Sequence, residues 1–134
     1  MEASELLPVI AVLALVTVEF GGHGLLKFIT TEDGKLTPLR ERFFRAGHAH
    51  AGVLLILSLV YFLYLPRAGF SSGIAWLFGI LLLVGVLAQS GGFFLHLAFG
   101  TEGQTSAGTR LTRVGALLIA AALIALAVGL IQRL

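Results

Sequence analysis

Arg45-Ala46-Gly47-His48-Ala49-His50-Ala51-Gly52 stands where a polar segment turns into a long apolar run, and it holds two of the chain's four histidines. The apolar run that follows belongs to a set of four such blocks, each long enough to cross a bilayer, which takes roughly 20 residues of helix. With 57% hydrophobic and only 12% charged residues, the chain would expose far too much apolar surface in water, where about a quarter of a domain's residues are charged. The reading is all-α: an integral membrane four-helix bundle in a lipid bilayer, one transmembrane domain over 1–134, with no room for a separate soluble domain. The net charge of +2 is small, and topology explains the basic residues better than nucleic-acid binding does.

Working outward, helices are expected over about 6–29, 43–65, 73–99 and 111–131, the second beginning at Leu39 or Phe43. Pro8 suits a first helical turn, where its missing N–H costs little. Gly34 and Pro38 break the polar connection 30–42, Pro66-Arg67-Ala68-Gly69 makes a short turn, and 101–109 is a second polar connection. The third helix is longer than a bilayer needs and is expected to tilt. Lys27, Lys35, Arg40, Arg42, Arg45, Arg110 and Arg113 lie at the two polar connections, whereas only Arg67 and Arg133 lie at the opposite side. By the positive-inside rule this puts 30–42 and 101–109 on the cytoplasmic side of a bacterial-type inner (plasma) membrane, with both termini outside. Glu2 and Glu5 replace the basic start of a secretory signal, so the first block reads as a retained helix. The chain has no cysteine, which excludes disulfides, thiolate metal ligands and a thiol nucleophile.

Glu19-Phe20-Gly21-Gly22 echoes Gln89-Ser90-Gly91-Gly92, and Thr31-Glu32 echoes Thr101-Glu102 at the same offset. Arg45-Ala46-Gly47 echoes Arg113-Val114-Gly115 slightly out of register. A duplication would make the protein two tandem helical hairpins related by an axis along the membrane normal; composition alone also makes such echoes common between apolar segments.

Polar residues inside the blocks are the candidates for chemistry. His23, His48, His50 and His96 all fall near the same side of the membrane, with Glu19 and Gln89 deeper. An ionised carboxylate at that depth costs roughly 3 kcal/mol, so Glu19 is expected to be protonated, to be functional, or to hydrogen-bond Gln89 or His23. His48 and His50 stand about 200° apart on a helix, so they address different surroundings: one the bundle interior, the other a subunit interface or the headgroups. Two ligand chemistries suit such a set. A divalent metal ion needs three or four converging nitrogen or oxygen ligands, with His50 and His48 the first candidates. Haem needs one or two axial histidines and an apolar slot. The glycines beside His23, His48 and His96, with Phe20, Phe43, Phe44, Phe93 and Phe94, resemble the walls of a flat slot, and Arg45, Arg42 or Lys27 suits the propionates. Haem is the favoured of the two, with interfacial histidines at headgroup level as the non-functional alternative.

The stretch Arg45–Gly52 also resembles the Arg-Ala-His-Ser-Gly stretch of styrene oxide isomerase, a family of small four-helix membrane enzymes that bind haem b and work as trimers. His50-Ala51-Gly52 matches the His-Ser-Gly part best, with His48 the alternative ligand position. Gly92-Phe93-Phe94-Leu95 looks like that family's Gly-Phe-Tyr-Leu at nearly the same separation. The resemblance covers helices two and three and implies haem b, a ligand at His50 or His48, and a trimer with haem near subunit interfaces. It also carries departures: the family's catalytic tyrosine falls on Phe94, and its asparagine on Ile56 or Leu54.

The leading expectation is therefore a haem-b-binding membrane protein, isomerase-like if it is an enzyme, with the iron as a Lewis acid toward a small apolar substrate. His23 or His96 would be a second ligand or a distal group, and two axial histidines would instead indicate electron transfer. No catalytic residue can be named from the sequence. The competing readings are a proton or metal-ion transport component built on Glu19, Gln89 and the histidines, or an accessory subunit of a membrane complex. Ala121, Ala125 and Gly129, and Ala116 and Ala120, recur at four-residue spacing. Such small-residue rows let helices approach closely in lipid, and they point to a homo-oligomer.

Overall fold

The computed structural model describes residues 1–31 and 36–134. Glu32, Gly34 and Lys35, named above in an echo, as a breaker and as one of the basic residues, lie outside the described residues. Four helices follow one another: α1 Ala3–Thr30, α2 Pro38–Tyr64, α3 Ser72–Phe99 and α4 Ala107–Ile131, with a 3-10 turn at Leu65–Ala68 between α2 and α3. All four are long and apolar enough to cross a membrane. The protein is a multi-pass, all-α membrane bundle.

Three helices start earlier than the hydropathy boundary suggests, because caps rather than apolar residues begin them. Glu2 and Glu5 form a capping box, with the Glu2 N–H donating to Glu5 Oε2 at 2.7 Å. Pro8 consequently sits in the second turn of α1, not the first, and leaves the Ser4 carbonyl without its i+4 donor. Thr37 caps α2 by accepting the Arg40 N–H at 3.4 Å, and Pro38 takes the first helical position. Pro38 thus opens the helix that it was expected to exclude, since the first turn has no use for its missing N–H. Ser106 and Thr109 make a reciprocal box at the start of α4, four residues before 111. The short turn closes as expected at Gly69, which adopts φ 66°.

The helices pack unevenly. α3 and α4 form the closest pair, and glycine makes the approach possible. Gly92 lies against Gly108 and Thr112, and Gly85 against Gly115 and Ile119. A methyl group on Gly115 would stand 2.6 Å from the Gly85 carbonyl oxygen, well inside van der Waals contact. The Thr112 hydroxyl uses this proximity to donate to the Gln89 carbonyl at 3.2 Å. α2 packs on α3, and α1 on α2 with lighter contact to α3. The core runs along these seams through Leu7, Ala11, Leu55, Phe62, Leu82, Val86, Ile119 and Ala122.

The small-residue rows of α4 resolve differently from the expectation. Gly129 is buried within the chain against Phe70 and Ala68, so the row Ala121–Ala125–Gly129 is not a free surface along its length. Ala116, Ala120 and Ala121 do face outward. The inward face of α4 carries Gly108, Gly115, Ala122 and Gly129, a seven-residue spacing suited to one helix–helix seam.

Two outcomes follow for thermal unfolding in detergent. Gly115→Ala should lower stability by about 1–3 kcal/mol, the usual cost of overpacking, whereas Leu117→Ala on the outward face should change it little. Tyr61 is 1% exposed and its hydroxyl has no hydrogen-bond partner among the described residues. Because an unpaired buried hydroxyl costs about 1–3 kcal/mol, Tyr61→Phe should leave the midpoint unchanged or raise it.

Candidate functional site

The four histidines do lie in the halves of α1, α2 and α3 nearest the polar connections, yet they do not converge. Among the described residues no three His, Asp or Glu side chains come together as a metal site. Each histidine meets different surroundings, and those surroundings assign it a different capacity.

His48 points toward α1. Its ring lies over Gly21 and Gly22, where a Cβ on Gly22 would be 3.1 Å from Nε2. The glycine cluster around His23 therefore serves His48: the missing side chains make the seat for its imidazole. His23 itself, with Glu19 and Phe20, is exposed on the outer face of α1. Among the described residues Glu19 has no hydrogen-bond partner, so the expected bond to Gln89 or His23 does not form within the chain.

His96 is 3% exposed. Its Nδ1 and the Ser106 hydroxyl share a hydrogen bond of 2.7 Å, and its ring stacks on Phe43 at 4.2 Å between centroids. Ser106 is also the cap of α4, so His96 ties the end of α3 to the start of α4. That is a structural task.

His50 differs from the other three. Its Nδ1–H donates to the Ala46 carbonyl one turn earlier, at 2.8 Å. A carbonyl only accepts, so Nδ1 carries a proton, and in the neutral form of the ring the lone pair is on Nε2. The ring is steadied by Phe93 at 4.7 Å. Phe93 in turn packs on Phe43 at 6.1 Å, which makes a ladder of four rings, His50–Phe93–Phe43–His96, between α2 and α3. His50 opens into an outer groove of about 360 Å³ lined with Ala49, Val53, Leu54 and Gln89. Helical spacing puts Arg42 on the same row as Ala49 and Val53, toward the headgroups.

Arg45 and Phe94 belong elsewhere. Arg45 pairs with Glu41 at 2.6 Å beside Phe28 and Ile29 of α1. Phe94 packs edge-on against Phe44 at 5.4 Å, and Gly47 is small enough to admit it. Leu54 lines the groove, whereas Ile56 faces outward. A further apolar cavity of about 310 Å³ lies between α1, α2 and α3, but its polar groups, Thr17 and Ser90, are spent on carbonyls of their own helices. Two grooves bring an apolar surface and an imidazole together: this one at His50, and one of about 350 Å³ on the outside of α1 lined by Glu19, Phe20 and His23; only at His50 is the ring held through its second nitrogen.

Sequence reasoning did not find the Ala46 acceptor, the ring ladder or the His96–Ser106 bond. The pattern Ser106-x-x-Thr109 was a legible capping signal. The pairing of His96 with it depends on how α3 and α4 come together.

Comparison with known proteins returned no matching family model, no matching curated protein and no matching solved structure.

Ser106→Ala should remove the α4 cap and the partner of His96 together, at a cost of about 0.5–2 kcal/mol for the cap alone. Thermal unfolding should show this loss, while His50→Ala, whose ring lines an open groove, should lower stability less.

Proposed function

We propose that this chain is a haem-b-binding membrane protein in which Nε2 of His50 is an axial ligand. The observation that carries the reading is the Nδ1–H bond to the Ala46 carbonyl. Fixing the tautomer through the second nitrogen is how proteins orient a metal-binding imidazole and raise its basicity. The resemblance of Arg45–Gly52 and Gly92–Leu95 to the styrene oxide isomerase family points to the same residue. His48 is the weaker candidate, because its ring is occupied against Gly21 and Gly22.

The residues around His50 fit one face of a flat apolar group. Ala49 keeps the floor low, Val53 and Leu54 keep water out, and Phe93 holds the imidazole plane. Arg42, on the row above, is better placed than Arg45 to receive propionates, since Arg45 is engaged with Glu41 on the α1 side. Bound haem would supply a Lewis-acid iron. His50 is the one histidine that lines the groove, so His50 would hold the haem and the reading would be an isomerase-like role on a small apolar substrate rather than electron transfer. Gln89 is the one other polar side chain at the groove; it can orient a substrate oxygen by donating from its amide. With His50 as the ligand, the family's tyrosine and asparagine fall on Phe94 and Ile56, which offer no hydroxyl or amide, and Ile56 faces outward. The basic residues at the polar connections support a topology with 30–42 and 101–109 on the cytoplasmic side of an inner (plasma) membrane and both termini outside.

Absorption spectroscopy of detergent-purified protein with added hemin tests the reading. The expected result is a Soret band with high-spin character, kept in His48→Ala and lost in His50→Ala. A wild-type chain that yields no Soret band, or a band indifferent to His50→Ala, would overturn it.

A further inference from the structure

Glu41 and Arg45 take no part in the His50 groove. They sit one turn apart on α2 and, with Phe28, Ile29 and Leu36, line a pocket of about 470 Å³ beside α1. Their ion pair joins Arg45 Nη2 to Glu41 Oε1 at 2.6 Å, and the two side chains remain 58% and 36% exposed. The pair therefore uses only one edge of each group. A guanidinium has five N–H donors and a carboxylate accepts at two oxygens. Arg45 keeps donors for an anion, and Glu41 keeps Oε2 for a cation. Among the described residues neither side chain makes a further hydrogen bond or ion pair.

Depth sets the kind of ligand. α2 has 27 residues, about 40 Å at 1.5 Å per residue, against a hydrocarbon core of about 30 Å. Its first turns thus stand among the headgroups. Glu41 and Arg45 belong to those turns, and helical side chains lean toward the N-terminus, which carries both charged ends to the headgroup boundary. Farther down the same row of α2 are Ile56 and Leu63, 57% and 68% exposed, a surface for acyl chains. Phe28, whose ring meets Phe44 edge-on at 6.4 Å, and Ile29 bring apolar surface up to the pocket itself.

A ligand that fits has an apolar body below and two opposite charges side by side above. We propose that this pocket binds the headgroup of a zwitterionic phospholipid whose amine still carries N–H. The phosphate takes the free edge of Arg45, and the primary ammonium donates to Glu41 Oε2. These are charge-assisted contacts of the stronger kind, and neither requires the ion pair to break. A choline headgroup has no N–H and forfeits the second contact. An anionic headgroup without an amine meets Glu41 as a like charge. Lys27, Arg40 and Arg42 stand at the same end of the bundle and attract any anionic lipid; Glu41 is what makes the pocket selective.

Native mass spectrometry of the detergent-purified chain tests this. Dioleoyl phosphatidylethanolamine, phosphatidylcholine and phosphatidylglycerol are added together in equal amounts. The expected result is an excess of ethanolamine-lipid adduct over each of the others of about two- to fivefold, as one exposed charge contact gives. Glu41→Gln should bring the ethanolamine and choline lipids level, and Arg45→Gln should weaken both. A wild-type chain that prefers the glycerol lipid would be a general basic surface, which overturns the proposal. So would equal retention of ethanolamine and choline lipids by the wild type, or an ethanolamine preference that survives Glu41→Gln. The wild-type comparison needs no variant, so a substitution that disturbs folding leaves the test intact.

Discussion

Hydrocarbon cannot hydrogen-bond, and most of this structure is arranged around that constraint. Each polar group inside the bundle has to find its partner within the protein. Three hydroxyls solve this locally: Thr17, Ser58 and Ser90 each donate to a carbonyl one turn back on their own helix. The histidines cannot all do so. His96 takes the cap of α4 and His50 the Ala46 carbonyl. His48 lays its ring on a glycine seat. Among the described residues, the buried Tyr61 hydroxyl and the outward Glu19 and His23 remain outside this scheme.

Glycine is the second organising element. In lipid, helices gain little from apolar contact alone, since the tails are as apolar as leucine, and close backbone approach matters correspondingly more. Gly85, Gly92, Gly108 and Gly115 bring α3 and α4 together closely enough for the Thr112 hydroxyl to reach the Gln89 backbone. The same residue type at Gly21 and Gly22 admits a side chain instead of a helix. The two hairpins echo one another in sequence, yet they use their glycines for different neighbours.

The site proposed at His50 follows from these two constraints. A carbonyl acceptor determines the tautomer, an aromatic ladder holds the ring, and a small-residue floor leaves an apolar groove beside a free nitrogen.

Hydropathy alone was enough to read four membrane-crossing helices and the turn at Pro66–Gly69, because in a bilayer length and apolarity decide whether a helix spans. The divergence of His48 and His50 was also legible, since a two-residue separation on a helix leaves no alternative. Helix starts were missed where Glu2, Thr37 and Ser106 cap, because capping is a local hydrogen bond that hydropathy does not weigh. What only the tertiary structure decided is which neighbour each polar side chain meets. That His48 sits on Gly22, that His96 binds Ser106, that Gly129 turns inward and that Glu19 turns outward depend on the rotation of each helix about its axis. That rotation is set by glycine contacts between distant segments, which no periodicity within a nearly uniformly apolar helix can specify.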